Sequence, residues 1–208
     1  MPRPRITEER RLQILEAAAA VIAERGICDT RIADVAARIG SSPALILYYF
    51  PSKDALLIEA LAHRDKEFFE HVAGAAASNA GAVERLEVFI DACVPPSESL
   101  DRNDNEWQLW LETWARSRHD QGLAAERARM DALFRTALAD IVRDGIAEGV
   151  FGNVEPDTFA LLLSSLIDGL AIQVLLQDPH VSPEVMRTLS RHLAFRELGI
   201  EAPTPART

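Results

Sequence analysis

Apolar side chains recur along this chain at spacings of three and four, so the pattern predicts helices throughout and no strand. A first helix is expected to start after Thr7, with Glu8 and Glu9 in its first turn, and to run to a break at Gly26. Its inner stripe reads Leu12, Leu15, Ala19 and Ile22. Thr30 then caps a short helix whose apolar positions Ile32, Val35, Ala36 and Ile39 fall at i, i+3, i+4 and i+7, and Gly40 supplies the turn that ends it. Ser42 caps the next helix, with Pro43 at its first position and Pro51 beyond its end. Leu45, Ile46, Tyr49 and Phe50 face inward on it, leaving Ser42, Pro43, Ala44, Leu47 and Tyr48 outward. Ser52 caps a long helix to about residue 75. Further helices are expected near 82–93, 106–118, 122–148, 156–177 and 183–198, with loops at 73–81 and 95–105. The fold class is all-α: a helix-turn-helix domain over 1–52, a helical domain over 53–200 and a flexible tail over 201–208.

Two short helices around a tight turn are the layout of a DNA-reading helix-turn-helix. The residues match as well as the pattern. The apolar first helix, the block Asp34-Val35-Ala36-Ala37-Arg38-Ile39-Gly40 and the run Tyr48-Tyr49-Phe50-Pro51-Ser52-Lys53-Asp54-Ala55-Leu56-Leu57 closely resemble the tetracycline-repressor (TetR) family of transcriptional regulators. The resemblance covers about the first 65 residues, and Leu166-Ile167-Asp168-Gly169-Leu170 is similar to a late helix in the betaine-regulator branch. It implies that Thr30, Tyr48, Tyr49 and Lys53 hold phosphates. Base reading falls to Arg31, Ser41, Ser42, Pro43, Ala44 and Tyr48, with Arg31 the best guanine reader. Leu47 stands where the family commonly has tyrosine, and an apolar contact to a thymine methyl can replace a polar one there. Arg3 and Arg5 suit a mobile arm.

A net charge of −10 suits such a role only once it is divided along the chain. Residues 1–53 carry eight basic and six acidic side chains, a net of +2, so the rest holds −12. An acidic body repels DNA except through its basic end. No apolar signal core or uncharged membrane-length run is read, which places the protein in the cytoplasm. Cys28 and Cys93 form no CxxC pair and are expected to be reduced and buried, with no metal or cofactor.

The 156–177 helix is apolar almost all round and must be covered on more than one face. With the 183–198 helix it suits a two-fold four-helix bundle between subunits, through Leu162, Leu166, Leu170, Val174, Val185, Leu189 and Leu193. A helix buried within a monomer is the alternative. Trp107, Trp110 and Trp114 recur at i, i+3 and i+7, and with Asp91 and Asp168 they suit an effector that is cationic or aromatic. The same tryptophans also fit plain core packing, and Asp168 fits an ion pair across a dimer. Whether a ligand releases or promotes DNA binding stays open, the resemblance implying release. No catalytic motif is present, and His63 and His71 are too far apart along a helix to share a metal. The chain therefore reads as a regulator and not an enzyme; a helical enzyme or a structural interaction protein without DNA binding remains the alternative.

Overall fold

The computed structural model describes residues 4–76, 81–94 and 106–200, which include nine helices and no strand. They are α1 (Pro4–Asp29), α2 (Ile32–Arg38), α3 (Pro43–Tyr49), α4 (Lys53–Ala76), α5 (Ala82–Ala92), α6 (Glu106–Ser117), α7 (Gln121–Ala147), α8 (Pro156–Leu175) and α9 (Pro183–Leu198). The all-α expectation holds. The expected loop at 73–81 is shorter than predicted, because α4 continues through Ala76; residues 77–80, the 95–105 loop and the 201–208 tail lie outside the described residues, as do the side chains of Arg3, Arg5, His71 and Trp107.

Two compact units form, and they do not divide at residue 52. The first takes 1–68 and 98–130, so α6 and the start of α7 join α1–α3 and most of α4. Its core is Ile14, Ala18 and Ile22 from α1, Val35 and Ala36 from α2, Ile46, Phe50, and Leu56, Leu57 and Leu61 from α4, with Leu123 added from α7. Leu12, expected in the inner stripe, is 40% exposed, because α1 turns the neighbouring Ile14 and Leu15 into this core instead.

The second unit takes 69–97 and 131–208. Here α8 packs along α9, and α9 against α5. Arg187 on α9 reaches Asp91 on α5 at 2.9 Å, and Arg191 pairs with Glu87 one turn away. Phe159, Leu163, Ile167, Leu170 and Val174 form the buried side of α8. By length and composition this helix would suit a membrane span, yet Asp168 interrupts it and much of it, Phe159, Leu163, Ile167, Leu170 and Val174 included, is buried in the protein.

Gly145 stands inside α7 where a helix would ordinarily prefer alanine. Its reason is contact: a Cβ there would lie 2.1 Å from Cδ2 of the buried Phe151 ring. Gly145→Ala is therefore expected to destabilise the protein by about 1–3 kcal/mol, outweighing the roughly 1 kcal/mol gained in helix propensity. Chemical denaturation measures this, and a variant as stable as wild type would contradict the packing described.

Candidate nucleic-acid interface

The local chemistry of α2 and α3 explains why α3 sits where it does. Gly40 takes a left-handed φ of 60°, and the amides of Gly40 and Ser41 close back onto Ala37 O at 3.2 Å and Ala36 O at 2.8 Å. That paired closure ends α2 and turns the chain into α3. Ser42 then accepts a hydrogen bond from Leu45 N at 3.3 Å, with Pro43 in the first turn. Ser52 caps α4 through Ala55 N at 3.1 Å.

Within α3 the expected division of faces is observed. Ile46 and Phe50 are fully buried and Leu45 and Tyr49 half-buried, whereas Ser42, Pro43, Ala44, Leu47 and Tyr48 are exposed. Tyr48, at 80% exposure, is far more open than a large side chain normally is in a folded domain. Its ring meets that of Tyr49 edge-on at 5.4 Å, which aims both hydroxyl-bearing rings. Arg31 is exposed at the start of α2, and Ser41 is half-exposed in the turn.

Thr30 does not occupy the place the sequence suggested. The cap residue of α2 is Arg31, whose amide donates to the Asp34 carboxylate at 3.2 Å. Thr30 is 1% exposed and its hydroxyl donates to Gly26 O at 2.8 Å, closing the kink at the end of α1. A hydroxyl has one proton, so this one has none left for a phosphate. Lys53 Nζ donates to Cys28 O at 3.2 Å and keeps two protons for an anion. Cys28 is exposed, against expectation, because it follows the kink; Cys93 is buried. Burial pushes the Cys93 thiol well above its ordinary range, with the nearby Asp168 charge adding to the effect.

Arg11 is a positioning residue that periodicity did not reveal. From α1 it donates to Tyr49 O at 3.2 Å, pairs with Glu59 on α4, and lays its guanidinium 4.5 Å over the Phe50 ring. One side chain thus holds the end of α3 against both neighbouring helices. Two ion pairs, Arg38 to Glu24 at 2.6 Å and Arg25 to Asp34 at 3.1 Å, seat α2 on α1. On the other flank Arg116 of α6 meets Asp54 of α4 at 2.6 Å, and Glu112 lies beside the Gly26 kink.

An outward helix face that follows a tight turn, with a scaffold fixing its angle, is the layout of a helix-turn-helix. Sequence comparison agrees. Residues 14–60 match the model of bacterial regulatory proteins of the tetR family, and 82–199 match that of the BetI-type transcriptional repressor C-terminal domain. The chain belongs to the TetR family. A transcriptional regulator from Saccharomonospora viridis, solved in complex with choline, is 34% identical, with 94% of this chain and all of that one covered at a TM-score of 0.82. The HTH-type transcriptional regulator BetI of Cronobacter sakazakii is 28% identical over 206 residues, 98% of each chain. A TetR-family regulator from Rhodococcus sp. is 26% identical, covering 92% and 99%, with a TM-score of 0.74. These relatives are regulators and not enzymes, and this TetR-family chain is a DNA-binding transcriptional regulator.

The residues expected at an effector site divide between the units: the three tryptophans fall in the first, Asp91 and Asp168 in the second. Trp110 and Trp114 do come together, ring centroids 4.8 Å apart, and Arg127 lies 5.3 Å over Trp114. Asp91 already faces a cation, Arg187. Of the residues expected at a dimer face, Leu162, Val185 and Leu189 are exposed and Leu166 and Leu193 half-buried. Leu170 and Val174 are only 6% and 2% exposed, because the buried side of α8 uses them for the unit's own core. Leu161, at 51%, joins the outward set.

Proposed function

We propose that this regulator is a dimeric repressor that occupies a near-palindromic operator and leaves it when a small quaternary amine of the choline type binds. The choline-bound relative, 34% identical along nearly the whole chain, carries the reading. The BetI-type match over 82–199 supports it.

The dimer face runs along the outward sides of α8 and α9. Leu161, Leu162, Val185 and Leu189 are apolar and exposed there. Gly169 strengthens the assignment. A Cβ at this mid-helix position meets nothing within the subunit, so no internal contact explains a residue that costs a helix about 1 kcal/mol. Close approach of a partner helix does explain it.

A two-fold dimer sets two copies of α3 about 34–36 Å apart, one major-groove repeat. Arg31 reads guanine, Leu47 and Ala44 touch thymine methyls, and Tyr48, Tyr49 and Lys53 grip phosphates. The Arg116–Asp54 pair and Glu112 beside Gly26 join α6 to the two elements that seat the reading helices. A ligand that moves α6 therefore shifts the equilibrium between operator-competent and incompetent dimers, by its differential affinity for the two.

For a quaternary amine the matching chemistry is the paired Trp110 and Trp114 faces. Because all tryptophan lies in 107–114, intrinsic fluorescence reports directly. Choline is expected to change that emission and to release operator DNA over the same concentration range, with Trp114→Phe weakening both. Release by an aromatic acid, with choline inert, would replace the effector class and leave the DNA-binding function standing.

A further inference from the structure

Among the described residues, DNA reading leaves a cluster of ligand-bearing side chains in the first unit unused. Glu16 on α1 and His63 and Glu67 on α4 each bring one ligand atom to within 4.8 Å of the others. His63 and Glu67 are four residues apart and so share a helix face. Glu16 completes the set from another helix.

One detail sets this cluster apart from an ordinary i, i+4 ion pair, whose spacing His63 and Glu67 also have. His63 Nε2 is buried and has no hydrogen-bond partner, which a neutral imidazole nitrogen normally finds. It stands 3.4 Å from Glu67 Oε1, with the two side chains 18% and 41% exposed. Two ligands at about 2.0–2.1 Å on a tetrahedral ion lie roughly 3.4 Å apart, so this pair already has the spacing of two coordination positions. The other Glu67 oxygen accepts from Arg64 Nη1 at 2.8 Å, the kind of outer contact that orients a ligating carboxylate. Glu16 is exposed, so its side chain is free to swing the remaining distance.

We infer that Glu16, His63 and Glu67 form a site for one divalent transition-metal ion, with zinc the best match. One imidazole and two carboxylates suit its borderline character, offset its charge and leave a fourth position for water. The bound ion clasps α1 to α4, the same two helices that Arg11 and Glu59 link beside the reading helix. All three ligands lie in the first unit, so zinc binding here requires neither the effector nor a ligand from the second unit.

The test is zinc titration of the metal-stripped full chain against a chromophoric chelator, in a Cys28→Ser background so that the exposed thiol takes none, with thermal unfolding alongside. One zinc per chain at micromolar free metal is expected, with a rise in Tm that EDTA reverses. His63→Ala and Glu16→Gln are each expected to weaken binding on the order of tenfold or more and to abolish the Tm rise. Glu16→Gln alters an exposed side chain and keeps the fold intact even where His63→Ala does not. Stoichiometric binding that persists in Glu16→Gln, or no binding at micromolar zinc, overturns the site.

Discussion

Leu162→Glu combined with Leu189→Glu is expected to yield folded subunits that no longer dimerise and that fail to hold operator DNA even without effector. Both leucines are nearly half exposed in the subunit, so charging them disturbs little of its own packing. In a two-fold interface each change appears twice, and four carboxylates enter one apolar seam. An uncompensated buried charge costs about 3–5 kcal/mol, so the dimer constant should weaken on the order of a thousandfold or more. Sedimentation checks the oligomeric state and gel shift the operator binding. Gly169→Leu is the companion variant, since it adds bulk at the outward glycine while improving helix propensity. If both variants remain dimeric, the interface lies elsewhere. Leu170→Glu would not serve as a test, because that side chain belongs to the subunit core and its loss would unfold the unit.

Phe50→Ala is expected to remove about 3–5 kcal/mol of stability from the first unit and, with it, operator binding. The ring is fully buried where α3 ends, inside the core shared by α1, α2 and α4, and the Arg11 guanidinium rests on its face. Deleting it leaves a cavity beneath the reading helix and strips Arg11 of one of its three attachments. Phe50→Leu should retain most of the stability while still losing the cation contact. Denaturation followed in parallel with DNA affinity separates the two effects. Wild-type stability in Phe50→Ala would mean that α3 is anchored by something other than this core.

How legible these features are depends on the range of the forces behind them. The inward and outward faces of α3 follow from a 3.6-residue period and nearby caps, and Ser42, Pro43, Gly40 and Ser52 act at the places their own chemistry dictates. Thr30 and Arg31 are adjacent, and either one can open α2. The choice is made by Gly26 O, which takes the Thr30 hydroxyl, a partner that depends on the kink in the preceding helix. Arg11 lies in a polar stretch of α1, and its partners are 38 and 48 residues away, so no local pattern marks it.

A helix apolar on every side, such as α8, carries too little periodicity to say which leucines turn inward. Leu170 and Val174 went to the core and Leu162 to the surface for reasons that lie in the packing of α9. The same limit hid the metal-ligating cluster. His63 and Glu67 are readable as an i, i+4 pair, but Glu16 joins them only when α1 folds alongside α4.

Capture of genomic fragments by the purified protein at moderate salt, with the retained DNA sequenced and with Arg31→Ala and Tyr48→Ala run beside it, tests most directly that a dimer of this chain reads DNA through α3. A single near-palindromic motif is predicted, enriched by the wild type and lost or altered in both variants. Retention of the same unenriched DNA by all three proteins would contradict the assignment of α3 as the reading helix.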